Sequence, residues 1–189
     1  MKSIPYSSEY RDAVVQQCLE NTGCLSASEE TQLFTTLTKC DYYLDHTPET
    51  CFLALDDDGT LAGCLLGCPD MDDYEVVFTE EYLPKAAALS VRRYVDAKLG
   101  LLPYAMFRQD YKAHFSLYVK SSWGGMGVED LLITAALAAL RERHVSGVVT
   151  VFDADNEDLV KVLKQKGFKD QFTTKFGHAM TLSFKETAV

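Results

Sequence analysis

VKSSWGGMGVEDLL, residues 119–132, sets Gly124, Gly125 and Gly127 directly ahead of a helix-forming run. Such a bend serves one of two ends. It can bring main-chain N–H groups against a phosphate, since no Cβ intervenes and a helix N-terminus carries unpaired N–H groups and partial positive charge. It can equally be a tight turn with no ligand. The flanks show what kind of unit holds it. Upstream, AHFSLYV (113–119) alternates like a strand, with His114, Ser116 and Tyr118 on one face and Phe115, Leu117 and Val119 on the other. Downstream, Val128, Leu131, Leu132, Ala135, Ala136, Ala139 and Leu140 fall at the spacing of a buried helix face. Arg141 and Arg143 suit the negative end of that helix. Gly147 breaks the run, and VVTVFD (148–153) reads as a second strand, apolar on both faces. Strand, loop, helix and strand make a β-α-β unit.

Two nucleotide motifs fit this unit poorly. A Walker A loop ends in Gly-Lys-Ser/Thr, which is missing here. A dinucleotide fingerprint needs a third glycine where GMGVED has Asp130. Residues 113–170 instead resemble the GNAT superfamily of N-acetyltransferases. That family has a strand, a Q/R-x-x-G-x-G/A loop, a helix, a strand and an Asn-led helix ending in Gly-Phe. SWGGMG (122–127) supplies the loop, and DADNEDLVKVLKQKGFKD (153–170) supplies Asn156 and Gly167-Phe168 at matching spacing. The long insertion carrying EYLPKAAALSVRRY is similar to acetyltransferase-like domains associated with O-GlcNAcases.

The resemblance implies an α/β (α+β) protein with the GNAT fold. Its sheet would be mixed and mostly antiparallel, flanked by helices, with a helical insertion between the third and fourth strands. It implies acetyl-CoA as co-substrate and an amine as acceptor, on a small molecule or a peptide. Leu117 and Val119 would face the thioester and pantetheine. Ser122, Gly124, Gly125, Met126, Gly127 and Val128 would receive the diphosphate, and Asn156 would complete the cofactor site. The base of such enzymes often lies on the strand before the loop. His114 is the first candidate, because an ordinary imidazole pKa of about 6.5 suits proton removal near neutrality. Tyr118 shares its face and is the second. A packing histidine is the plain alternative for His114. Glu75, Glu80 and Glu81 on the insertion are candidates for holding the substrate cation, or form a solvated acidic loop.

The chain also departs from the family pattern. Ser122 stands where Gln or Arg heads the loop, and no Lys or Arg lies between Lys120 and Arg141. Glu129 and Asp130 sit at the helix start. One such charge at ~8 Å, at an effective dielectric of about 20, opposes a diphosphate by roughly 2 kcal/mol before screening. Leu163 occupies the place where the family often carries a tyrosine acid. Two outcomes follow from these departures. The chain is an N-acetyltransferase, or it is a weak or inactive module that binds CoA and acts in regulation or protein contact.

The remaining sequence reads as helices over about 10–20 and 29–39, the second capped by Ser28, and a hairpin over 51–68 around an Asp-Gly turn. Past Pro84 the insertion turns helical, as a lid or as packing. A short helix over 156–168 puts Leu159, Val162 and Leu163 inward, and a hairpin over 171–184 follows. A length of 189 residues suits one domain, 1–189. No apolar run approaches the ~18 residues of a membrane span, and MKSIPYSSEYRD has no secretory core, so the expected place is the cytoplasm. Six cysteines without a C-x-x-C pair argue against a metal and for reduced core thiols. A net charge of −10 argues against nucleic acid as the main partner; it suits a cationic substrate as well as simple solubility. A homodimer is compatible with the chain.

Overall fold

The computed structural model describes residues 1–153, 155–174 and 177–184. The expected turn of the last hairpin, at 175–176, and residue 154 lie outside the described residues. Seven strands form one sheet: β1 (Lys2–Pro5), β2 (Phe52–Leu55), β3 (Leu61–Cys68), β4 (Ala113–Val119), β5 (Gly147–Phe152), β6 (Lys169–Thr174) and β7 (Gly177–Ser183). They run in the order β1-β2-β3-β4-β5-β7-β6. Neighbours are antiparallel except β4 and β5, which are parallel because a helix carries the chain between them. The mixed, mostly antiparallel GNAT arrangement expected from the sequence is the one observed.

Strand alternation sorts two cores onto the two faces. On one face Leu53, Leu66 and Tyr118 pack with α1 (Arg11–Asn21), α2 (Glu29–Thr36) and α3 (Tyr42–His46). The insertion adds α4 (Met71–Val77), α5 (Leu83–Leu89), α6 (Val91–Gly100) and α7 (Leu102–Ala105) to that side. Tyr74, Phe78 and Tyr82 repeat every four residues and are almost fully buried, so this half of the insertion is packing. On the other face Leu65, Phe115 and Phe168 pack under α8 (Val128–Glu142) and α9 (Glu157–Gln165).

The sequence reading of α8 is off by a small rotation. Ile133 and Leu137 are buried, while Leu131, Ala135 and Ala139 are only half-buried. Turning the larger side chains to the sheet buries more apolar area than alanines would. Helices α1 and α2 lie where expected, and the Ser28 hydroxyl accepts from Thr31 N–H. The Asp-Gly turn is a solvated loop, in which the Asp56 carboxylate accepts from the N–H groups of Asp58 and Thr60. Three elements were not read from sequence: β1, a short edge strand holding Pro5; α3, which continues the second helix past residue 39; and α4, capped by the Asp70 carboxylate. Five cysteines are buried free thiols; Cys24 is only half-buried.

Gly67 is the tightest point of β3. A Cβ there would lie 2.5 Å from the Thr50 carbonyl oxygen, and the Thr47 and Thr50 hydroxyls both donate to the Gly67 carbonyl at 2.8 Å. Gly67→Ala should therefore lower unfolding free energy by about 1–3 kcal/mol. Urea denaturation measures this; an unchanged midpoint would show that the Thr50 segment yields freely.

Candidate active site

The site begins where β4 and β5 part. Their register runs Ala113↔Val148, His114↔Val149 and Phe115↔Thr150, and there it ends. The Thr150 hydroxyl donates to the Phe115 carbonyl at 3.1 Å and closes the paired stretch. Beyond it, β4 continues to Val119 along β3 alone. The Lys120 N–H bonds to Ala62 on β3, so strand alternation turns the main-chain groups of Leu117 and Val119 to the opposite, open side. A cleft of about 200 Å³ fills that side. Leu117 and Val119 of β4, Ser121, Gly124 and Gly125 of the loop, and Asn156 and Leu159 at the start of α9 line it. The Asn21 amide, from the end of α1, reaches in and donates to the Val119 carbonyl at 2.9 Å.

The loop owes its shape to backbone conformation. Gly125 and Gly127 have φ of +73° and +84°, the left-handed region that glycine enters at little cost. Gly127 caps α8 without any side-chain bond, so the first N–H groups of that helix point into the loop with no capping oxygen. Gly124, by contrast, sits at φ −58°, ψ 135°, a conformation open to any residue.

Charge at the cleft differs from the sequence expectation. Lys120 lines it, so a cation is present after all. Asp130 is neutralised by Lys166 at 2.7 Å, leaving Glu129 and Asp158 as the acidic lining, the latter held by Lys161 at 2.9 Å. Of the residues read from sequence, Leu117, Val119, Gly124, Gly125 and Asn156 meet in the cleft. Ser122 and Met126 are exposed and outside its lining, Gly127 serves as the helix cap, and Val128 is fully buried beneath α8. The Asn156 side-chain oxygen Oδ1 also caps α9 by accepting from Leu159 N–H. Glu129, expected from the sequence beside the loop, lines the cleft, while Asn21, Lys120, Ser121, Asp158 and Leu159 were missed. Lys120 and Ser121 adjoin the motif; Asn21 lies 98 residues from the atom it bonds and left no local signal.

The catalytic candidates fall on the other face. His114 is fully enclosed, with Nε2 2.9 Å from the Tyr43 hydroxyl and its ring stacked on Tyr104 at 4.2 Å. Its Nδ1 is buried without a partner among the described residues. Burial pulls its pKa down to about 3, so it is neutral and a weak base, and the ordinary imidazole value assumed from sequence does not hold. Tyr118 is buried too, donates to the Lys39 carbonyl at 3.3 Å, and has its pKa pushed well above the ordinary phenol value by burial. Leu163 is fully buried on the inner side of α9, in the apolar core.

Next to His114 lies a chamber of about 100 Å³, bounded by Tyr43, Tyr74, Tyr104, Ser116 and Asp96. Ser116 belongs to the stretch of β4 that has left β5, so the chamber and the cleft approach the same parted strand from opposite faces. None of Glu75, Glu80 and Glu81 borders this chamber; Glu75 is bound to Arg108 and Glu81 lies 3.5 Å from His46. Among the described residues no three His, Cys, Asp or Glu side chains converge to hold a metal ion. No helix among them is long and apolar enough to cross a membrane.

The Acetyltransferase (GNAT) family model matches residues 17–168. Among solved structures, SsHAT is similar to this chain with a TM-score of 0.81 at 20% identity, covering 97% of this chain and 98% of that one. The polyamine N-acetyltransferase of Drosophila melanogaster, which catalyses the formation of N-acetylagmatine, gives 0.63 at 12%, covering 96% and 99%. A chain of the NatC complex, solved bound to Gag peptide and CoA, gives 0.56 at 13%, covering 98% and 100%. At these identities the likeness is one of fold. No curated protein matches the sequence.

The depressed pKa of His114 has a stability consequence. Between its ordinary value of 6.5 and about 3, the unfolded chain takes up a proton that the folded protein refuses. The contribution is therefore intact above the ordinary value and is lost as pH falls, by up to about 1.4 kcal/mol per unit. His114→Gln should remove one proton from that uptake and flatten the acid limb. Urea denaturation between about pH 7 and about pH 4.5 tests it; equal slopes in both proteins would assign the proton elsewhere.

Proposed function

The chain belongs to the GNAT family of acetyltransferases, and we propose that it transfers the acetyl group of acetyl-CoA to an amine. One observation carries this reading: the parted strand leaves the main-chain groups of Leu117 and Val119 facing a cleft that ends at a glycine loop and an uncapped helix start. Buried main-chain groups without partners are costly, so an open edge of this kind calls for a ligand with amide groups of its own. Pantetheine has them. The N–H groups at the start of α8, with Lys120 beside them, suit the diphosphate.

Acetyl-CoA, when bound, supplies an acetyl thioester as electrophile, and its thiolate as leaving group. This chain's residues supply position and protonation state. The Leu117 or Val119 N–H is placed to polarise the thioester oxygen. The amine enters the chamber on the opposite face. There, tyrosine hydroxyls and the Ser116 hydroxyl accept from it, and the low-dielectric surroundings favour the neutral, nucleophilic form. The new C–N bond forms as the C–S bond breaks. The amine's proton leaves through the hydroxyls toward solvent, because neither His114 nor Tyr118 is a ready base. His114 acts as a positioning residue that fixes the Tyr43 hydroxyl, and Tyr118 holds the α2 end. A thiolate with an ordinary pKa near 8.5 departs without an acid at position 163, more slowly than with one. In this reading the whole chain, 1–189, is one cytoplasmic domain whose acceptor is a small amine or a peptide.

A second reading rests on Leu163 and on the acidic residues Glu129 and Asp158 at the cleft: a CoA-binding module without turnover. Thiol release from acetyl-CoA over a panel of amines separates the two. Binding without release favours the module.

Two substitutions test the cleft. Gly124→Val suits its backbone and meets nothing closer than the Ser121 carbonyl oxygen at 3.5 Å, so the protein should fold normally. It should weaken CoA by on the order of tenfold or more, since a side chain now stands where the loop meets the ligand. Wild-type affinity in calorimetry would place the diphosphate elsewhere. Glu129→Gln should tighten CoA, with a larger gain at low salt than at high salt. A gain independent of ionic strength would mean the effect is steric.

A further inference from the structure

We infer that the acceptor is a primary monoamine borne on an apolar chain or ring, and that a second positive charge on it is disfavoured. The inference rests on the transferase reading for the place of the amine and adds the chemistry of what carries it. A second, larger space adjoins the tyrosine chamber: the two share Lys39, Gly100 and Tyr104 in their linings.

The chamber holds about 100 Å³ and the outer groove about 640 Å³. One water needs about 10–15 Å³ of such space, so the chamber has ample room for an ammonium and its first carbons, and the groove is several times larger. Its acceptors match an ammonium. Hydroxyls of Tyr43, Tyr74, Tyr104 and Ser116 border it, with the Asp96 carboxylate. Asp96 has Arg92 at 3.8 Å, but that guanidinium is 89% exposed, so it is a weak competitor. Phe34 and Phe78 complete the lining, with the Arg93 guanidinium already over the Phe34 ring at 4.6 Å.

The groove is of another kind. Helices α6 and α7 give it Leu99, Leu102 and Met106, which are 55%, 56% and 70% exposed, and the sheet gives it Val151, Phe152 and Phe172. These side chains cannot hydrogen-bond, so an ammonium laid along them would lose water without replacement. Lys39 lines both spaces and Asp153 borders the groove. Both are exposed, as is Asp96 at the chamber, so solvent screens all three charges. The contrast rests on the chamber's hydroxyl-bearing side chains against the groove's apolar ones. The head of the acceptor is thus cationic on arrival and its body apolar.

The test compares n-hexylamine with 1,6-diaminohexane, which differ in one terminal ammonium. Thiol release from acetyl-CoA gives kcat/KM for each, and calorimetry gives binding to the protein with and without CoA. The monoamine should exceed the diamine on the order of tenfold or more in both readouts. Leu102→Glu should shrink or reverse that ratio by placing a carboxylate beside the distal ammonium. A wild type that treats the two alike or prefers the diamine overturns the inference, as does a ratio unmoved by Leu102→Glu. Should hexylamine bind selectively while neither amine is acetylated, the acceptor inference stands and the transferase reading fails. Should other amines be acetylated while hexylamine does not bind, the reverse holds.

Discussion

Everything at the site follows from a strand that keeps one partner and loses the other. β4 is paired with β3 along its whole length and with β5 only as far as Phe115. The Thr150 hydroxyl spends its hydrogen bond on the Phe115 carbonyl, the last acceptor of the paired stretch. Continued pairing would satisfy the next main-chain groups and abolish the cleft. Parting leaves them exposed in the middle of a sheet, where irregular, unpaired backbone is otherwise rare. Asn21 satisfies one of them from a distant helix, which shows that the protein fills what it can. The loop, the helix start and the chamber are useful only because they surround this opening.

The two faces of the sheet divide the work. The face under α8 and α9 is a close-packed apolar core from Phe115 to Phe168, and it holds the loop rigidly at the cleft's end. The face under α1–α7 is aromatic and carries hydroxyls: Tyr42, Tyr43, Tyr74, Tyr82, Tyr104 and His114 touch one another edge-on or stacked. Tyrosine suits such a place, since each ring buries apolar area while its hydroxyl stays available for a hydrogen bond. The insertion supplies part of this set and also rims the outer groove. Its first half packs on the sheet and lends Tyr74 and Phe78 to the chamber, and its second half rims the groove, roles invisible in its composition.

Local pattern made the frame legible. AHFSLYV alternates over its full length and became β4 with those bounds; the positive-φ glycines and the helix after them stand where GGMGVEDLL placed them. What failed was whatever depended on contacts far apart in sequence. β1 has four residues and a proline, too few for a period, and exists because β2 offers an edge. Asn21 enters the cleft only once α1 has docked. His114 was chosen for an intrinsic pKa, and three tyrosine rings around it changed that value. The acidic helix start looked hostile to a phosphate until folding brought Lys166 to Asp130.

That last pairing bears on how a chain of net charge −10 could receive a polyanion. Distant charges matter little, since exposed pairs beyond the Debye length of about 8 Å are largely screened at physiological salt. The balance is set within the cleft. There Asp130 is cancelled by Lys166, and Asp158 is partly cancelled by Lys161. Lys120 and the uncapped N–H groups of α8 remain on the attractive side, with Glu129 against them. A lysine and about half a charge from the helix outweigh one half-exposed carboxylate. In the transferase reading the two ligands, of opposite sign, approach β4 from its two faces and meet where β4 has parted from β5, so each is received by its own set of local charges.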